Sequence, residues 1–228
     1  MKKPPIHILC FENTAYTLRT LKSVRATSPG HPVFLHDNGS TPENREIVAA
    51  ALRDGERLVL NQVDPSWDRR MKIGRAKNLQ LEMSGDADPE WVLMLDNDVL
   101  VKDGLWEKMK RYVAAFPDVA MWGLEMAPSH RVIKTETRGE LVIRITTLFA
   151  GYAALINRRT ALSEGVRWPE EQVDYSDHPH VDAMGPEGLG GGDFKFADDF
   201  RAAGYRVALP EHALVEHVAQ PGKTEGYR

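Results

Sequence analysis

The chain opens on a short apolar run, Ile6 to Phe11, and passes into a stretch, Thr14 to Arg25, where Leu18, Leu21 and Val24 recur at helical spacing. The same unit then repeats. Pro32 to His36 predicts a second strand closed by the turn chemistry of Asp37 to Pro42, and Glu43 to Arg53 a helix with Ile47, Ala50 and Ala51 inward. Arg57 to Val63 predicts a third strand, Arg75 to Met83 a third helix, Trp91 to Leu95 a fourth strand and Gly104 to Ala115 a fourth helix. Strands alternating with helices predict an α/β fold with a mixed, mostly parallel sheet covered by helices on both faces.

Beyond Pro117 the rhythm changes. Val119 to Leu124, Glu140 to Ile145 and Phe149 to Ile156 read as strands without helices of comparable length between them, so a mixed or antiparallel region is expected. Val166 to Gly192 is rich in Gly, Pro, Asp and His without an apolar period, and predicts a long loop of the kind used for binding. Phe194 to Ala203 predicts a helix ended by Gly204, and Tyr205 to Leu209 a last strand. No repeat, low-complexity tract or linker divides the 228 residues, and one domain is expected over 1–228.

Composition narrows the range of partners. A formal charge of -4 and a pI near 6.1 provide no basic field to gather phosphates, so nucleic acid is not expected. Cys10 is the one cysteine, which excludes an internal disulfide and a Cys-rich zinc site and suits a reducing, cytoplasmic setting. The opening residues lack a signal-peptide core, and no segment approaches the roughly 18 uncharged apolar residues of a membrane span. A soluble chain is expected, with peripheral membrane contact left open.

Four clusters fall at predicted strand or helix ends, where parallel sheets bind ligands. In W-V-L-M-L-D-N-D-V-L-V, Trp91 to Val101, two aspartates interrupt a core run. Asp96 and Asp98 either cap the following helix or aim hard oxygen ligands at a divalent cation. Asp37-Asn38-Gly39-Ser40 is strong turn chemistry that also sits at a strand end. Arg69, Arg70, Lys72, Arg75 and Lys77 form either a solvated charge run or, with a helix amino terminus, a diphosphate site. After the glycine run Gly190 to Gly192, Asp193 is an N-cap or a base, whereas Asp198 with Arg201 and Asp199 with Lys195 have the spacing of surface ion pairs.

These clusters, in this order, resemble the inverting glycosyltransferases of family 2, which have the GT-A, Rossmann-like nucleotide-binding fold. The resemblance covers most of the chain. It is carried by N-T-x-x-x-L-R-T-L-K-S-V after the first strand, the D-N-G-S-T turn, the G-R-A-K-N helix start and L-D-N-D. G-Y-A-A-L-I-N-R-R and G-D-x-x-x-x-x-x-x-R-A-A-G-Y-R-V followed by P-E-H-A-L-V-E-H complete it.

The resemblance implies a nucleotide-sugar half over 1–116 and an acceptor half over 117–228. It implies that Asp37 bonds the donor nucleobase, with Asn38, Gly39 and the backbone after Cys10 shaping that pocket. Arg75, Asn78 and Asn97 would lie along the donor, and Asp96 would contact its ribose or the metal. Asp98 would bind Mn2+ or Mg2+ with His217 completing the site, and Asp193 would be the base, with Gly192 in place of the usual preceding glutamate. The implied activity is transfer of a sugar, with inversion, from a nucleotide-diphosphate sugar to a hydroxyl of a glycan or other acceptor. UDP is the preferred carrier, with thymidine and guanosine carriers open.

A retaining enzyme on the same fold and a non-catalytic nucleotide-sugar-binding module are the alternatives. A sugar nucleotidylyltransferase ranks lower, because F-E-N-T-A-Y after the first strand lacks the Gly-rich basic loop of that class. Asp174, Asp177, His178, His180 and Asp182 read as an acceptor-facing lid rather than a zinc site, with Gly190 to Gly192 as its hinge. Trp67 and Trp168 are either sugar-stacking faces or core aromatics.

Overall fold

The structure, a computed structural model, describes residues 2–64, 66, 69–83, 88–125, 132–147, 149, 151–171 and 191–218. Strand β1 (Ile6–Cys10) lies parallel between β2 (Val33–Asp37) and β4 (Trp91–Asp96), all three buried almost throughout. β3 (Glu56–Leu60) extends this parallel set beside β2 and forms one edge of the sheet. Alternate residues of β4 feed two separate cores: Leu93 and Leu95 pack with Leu21, Val24 and Trp106, whereas Val92 and Met94 pack with Leu81, Phe196 and Phe200. An uninterrupted apolar strand is therefore explained by helices on both sides.

On one face lie α1 (Thr14–Thr27) and α4 (Leu105–Ala115), the latter burying Leu105, Trp106, Met109 and Tyr112. α2 (Pro42–Ala50) starts where the sequence signals it, with the Thr41 hydroxyl accepting from the Asn44 N–H and Pro42 opening the helix, but it buries Val48 and leaves Ile47 and Ala50, expected inward, exposed. The opposite face is covered by α3 (Arg69–Glu82), α5 (Arg158–Ser163) and α6 (Gly191–Ala202).

Past β4 the parallel order breaks as the sequence predicts. β6 (Val119–Gly123), β7 (Val132–Arg138), β8 (Leu141–Thr146), β9 (Ala153–Asn157) and β10 (Arg206–Pro210) complete one sheet of order β3-β2-β1-β4-β9-β6-β10-β8-β7. β9 runs antiparallel to both β4 and β6, and so joins the two halves of the chain in one sheet. β5 (Val99–Val101) and β11 (Val215–His217) pair with each other as a separate antiparallel ribbon. Among the described residues no helix is long and apolar enough to cross a membrane.

Several elements were not predicted. β5 and β11 are three-residue strands without a visible period, and β7 is an edge strand whose Lys134, Thr135 and Glu136 are polar or charged. α5 has only six residues, opened by the Asn157 carboxamide accepting from the Thr160 N–H. α3 begins at Arg69, so Arg75 lies in its second turn and not at the amino terminus where a helix dipole would reach a diphosphate.

Candidate active site at the switch point

The chain moves outward from β1 through β2 to β3 and then crosses to β4 on the other side, which places the switch point between β1 and β4. A crevice at the carboxyl ends of these strands is where an open α/β sheet binds ligands. β4 delivers Asp96 there. The following turn carries Asn97 and Asp98 and leads into β5, which pairs with β11 and so brings His217 opposite Val99. A bond from the Val218 N–H to the Asp98 carbonyl, 2.8 Å, closes this ribbon. As a result His217 Nε2 stands 3.4 Å from Asp98 Oδ1 although the two are far apart in sequence.

The neighbours of His217 hold it in place. Its ring stacks on Tyr152 at 4.3 Å between centroids, and its backbone N–H donates to Glu125 Oε2 at 3.1 Å. Tyr152 also donates its hydroxyl to that carboxylate oxygen, at 3.0 Å. The bond to Asp98 raises the His217 imidazole above its ordinary value against the opposing effect of burial, with the charges of Asp98, Asp96 and Glu125 adding to the rise. Burial pushes the Asp96 carboxyl up to about 6; Lys77 and His217 pull it down, and the charges of Asp98 and Asp193 push it further up.

Asp193 reaches the same place from α6. Its Oδ1 accepts from the Trp168 indole Nε1 at 3.0 Å and from Lys77 Nζ at 3.4 Å. Lys77 comes from α3, is buried, and donates in addition to the Gly151 carbonyl at 2.8 Å. The Asp193 carboxylate lies flush against Gly151, where any Cβ would collide with it. Because α6 starts at Gly191, Asp193 stands inside the first turn and is not the N-cap.

At the outer end of the crevice, Asp37 is buried and already paired. Its Oδ2 accepts from Arg45 Nε at 2.6 Å and its Oδ1 from the Ser40 N–H at 3.3 Å. Asn38 donates its N–H to the Cys10 carbonyl, 2.8 Å, and Gly39 turns the chain with φ of 94°. Burial pushes the Cys10 thiol up, which leaves its backbone as the useful part. Beside it Phe11 is 58% exposed. Glu12 and Asn13 both have positive φ, and the Glu12 carboxylate accepts from the Thr41 N–H at 2.8 Å and from the Asn44 amide. These bonds clasp the β1–α1 turn to the β2–α2 turn next to Phe11.

Three expected donor contacts are occupied within the protein. Asn78 brackets Trp168: its Oδ1 accepts from the Trp168 N–H at 2.9 Å, and its Nδ2 donates to the Trp168 carbonyl and to Glu170 Oε1, both at 3.0 Å. Arg75 pairs with Glu170 at 3.1 Å. Asn97 donates to Thr17 Oγ1 at 3.1 Å and ties the Asp-x-Asp turn to α1. Asp198 and Asp199 form the surface pairs with Arg201 and Lys195 that their spacing predicts. Trp168 is a core aromatic, stacked on Phe196 at 3.5 Å. Trp67, residues 174, 177, 178, 180 and 182, Gly190 and the side chains of Arg69 and Arg70 lie outside the described residues.

Sequence reasoning placed Lys77 in a basic run read as a diphosphate site or a solvated charge run, not beside Asp193, and gave no site role to Arg45, Glu125, Tyr152 or Phe11. Lys77 was one of a run of basic residues, and Arg45 is eight positions after Asp37, on the helix predicted from Glu43. An exposed Phe beside a strand-end turn was the one available signal.

The donor set fits a divalent cation in part. Asp96, Asp98, Asp193 and, behind His217, Glu125 bring four carboxylates close together against Lys77 and, when protonated, His217. Among the described residues no group of three His, Cys, Asp or Glu side chains is arranged to hold a metal ion. Asp98 and His217 are the adjacent oxygen and nitrogen donors, and a hard cation takes the rest of its shell from ligand oxygens and water.

This α/β sheet, nine-stranded among the described residues, has the fold of solved GT-A-type glycosyltransferases. The mannosyltransferase PcManGT from Pyrobaculum calidifontis, solved in complex with GDP-Man and Mn2+, matches with a TM-score of 0.62 and 16% identity, over 96% of this chain and 58% of that one. TarS 1-349 from S. aureus in complex with UDP-GlcNAc matches with a TM-score of 0.61 and 14% identity, over 96% of this chain and 59% of that one. The chain thus spans about three fifths of each. No protein-family model and no curated protein matches it.

Proposed function

We propose that the chain is a metal-dependent glycosyltransferase of the family 2 type, forming one domain with a donor half (1–116) and an acceptor half (117–228). It would move a sugar from a nucleotide-diphosphate donor, a UDP-sugar in the first instance, to a hydroxyl of a glycan or other acceptor, with inversion. The observation that carries this reading is the convergence of Asp96, Asp98, His217, Lys77 and Asp193 on one crevice of a GT-A sheet. The fold neighbours solved with GDP-Man and with UDP-GlcNAc support a nucleotide-sugar donor.

In this reading Asp37, with Arg45 beside it, offers an acceptor and donors to the edge of the base, and exposed Phe11 offers it a stacking face. Asp96 takes the ribose side. A Mn2+ or Mg2+ ion held by Asp98 and His217 would supply positive charge to the departing diphosphate. Asp193 removes the proton of the acceptor hydroxyl as that oxygen attacks the anomeric carbon, and the diphosphate leaves with the electron pair of the broken bond. Arg75 and Asn78 act from outside, by fixing the segment that carries Trp168.

The test is release of nucleotide diphosphate from a panel of sugar donors with Mn2+ and hydroxyl acceptors, with anomeric analysis of the product. Turnover with inversion is expected, and Asp193→Asn should lower kcat by roughly 10²- to 10⁴-fold with donor binding kept. A retained anomer would sink the single-displacement mechanism. Gly192, standing where an acidic residue would precede the base, favours one other reading, a module that binds the donor without turning it over. Metal-dependent UDP binding with no release from any donor would establish that reading instead.

A further inference from the structure

Lys77 and Trp168 converge on a single atom. The Lys77 ammonium and the Trp168 indole N–H both donate to Asp193 Oδ1, while Oδ2 takes no hydrogen bond among the described residues. Neither donor is at liberty to go elsewhere. Lys77 is fixed by its 2.8 Å bond to the Gly151 carbonyl and lies 5.5 Å from the centre of the Trp168 ring. Trp168 is gripped at its backbone N–H and carbonyl by Asn78 and across its ring by Phe196, with both partners buried. Gly151 lies against the third side and faces Oδ2 most closely, so that oxygen is backed by a residue with no side chain rather than by a hydrogen-bond donor.

From this geometry we infer that Lys77 and Trp168 are positioning residues that dictate which oxygen of Asp193 does the chemistry. Resting on the glycosyltransferase reading, the inference assigns Oδ1 to the two protein donors and leaves Oδ2 to take the proton of the acceptor hydroxyl. That oxygen then bonds to the anomeric carbon as the bond to the diphosphate breaks. With Oδ1 held by two donors and Oδ2 backed by Gly151, the carboxylate is restrained from rotating, and a base held in attack geometry contributes to rate without contributing to donor affinity. Trp168 lies far from Asp193 in sequence, and Asn78, expected along the donor, instead supports the base through Trp168.

The experiment is a mutant cycle on the full chain with the best donor and acceptor found in the panel. Trp168→Phe keeps the ring stacked on Phe196 and deletes only the N–H. The expected result is a kcat about tenfold lower with the donor KM unchanged, as for loss of one hydrogen bond to a charged acceptor. Lys77→Met should cost more, and Lys77→Arg should recover part of that loss. In an Asp193→Asn background Trp168→Phe should change the residual rate no further, because residues acting as a unit are not additive. Should Trp168→Phe not fold, Lys77→Met carries the same cycle. An unchanged kcat, or a loss that adds fully to that of Asp193→Asn, overturns the positioning role and leaves the glycosyltransferase reading standing. Wild-type protein that turns over no donor overturns both.

Discussion

Gly151 is the residue where backbone and chemistry meet most closely, since the Asp193 carboxylate occupies the space a side chain would need. Gly151→Ala should therefore displace the carboxylate and leave the sheet behind it intact. A shift of about 1 Å in a catalytic group costs on the order of 100-fold in rate, so turnover should fall by about that factor with nucleotide binding preserved. Steady-state kinetics on a variant that keeps the wild-type Tm checks it; wild-type kcat would mean that the contact is not functional. At this scale the sequence was legible for the carboxylates, because an ionised pair inside an apolar run needs a reason. It was less legible for Lys77, which the sequence shows only as one of a basic run; burial sets it apart from Lys72 and Arg75, and its ammonium bonds the Gly151 carbonyl and Asp193.

His7 and His36 form a polar contact inside an otherwise apolar pair of strands, β1 and β2. Their rings bond at 2.8 Å between His7 Nδ1 and His36 Nε2, and both side chains are fully buried. Burial holds His36 down at about 4, and burial with the charges of His36 and Arg158 holds His7 well below its ordinary value. Both are neutral in the fold, whereas the unfolded chain protonates them near pH 6.5. The stability that depends on their neutrality is thus complete above pH 6.5 and is lost as pH falls from there toward 4. For His36 alone the loss is on the order of 3 kcal/mol. Urea unfolding at pH 7.5 and pH 4.5 should show it, and His36→Leu should flatten the slope; a stability that rises on acidification would refute the assignment.

Among elements, legibility followed period. β1, β2, β4, α1 and α4 have long apolar patterns and were predicted within a few residues of their observed ends. β5 and β11 are too short to show a pattern, and they exist because pairing with each other satisfies their backbones. That ribbon is also what carries His217 to Asp98. A sequence reading could reach this contact through family resemblance but not through periodicity. The packing of the Trp168 segment against α3 was likewise invisible, since it depends on Asn78 and Gly74 meeting the backbone of Trp168 and Pro169.

For the molecule as a whole, the order β3-β2-β1-β4 creates the crevice, and β9, running antiparallel between β4 and β6, fixes the second half of the chain across from it. Asp37 and Phe11 then stand at the carboxyl ends of β2 and β1 and Asp96 at that of β4, with Asp98, His217, Lys77 and Asp193 near enough to act on its charge. A molecule built this way should bind a nucleoside diphosphate and a divalent cation together. The most direct measurement is the melting temperature of the full chain with UDP, GDP or TDP, each with Mn2+ and without it. One of the three, at about 100 times its Kd with Mn2+, should stabilise the fold by about 2.7 kcal/mol, a shift of roughly 5–10 °C. That shift should collapse when Mn2+ is withheld or when Asp98 is changed to Asn. No shift with any of the three nucleotides in Mn2+, at concentrations up to the millimolar range, would contradict the account.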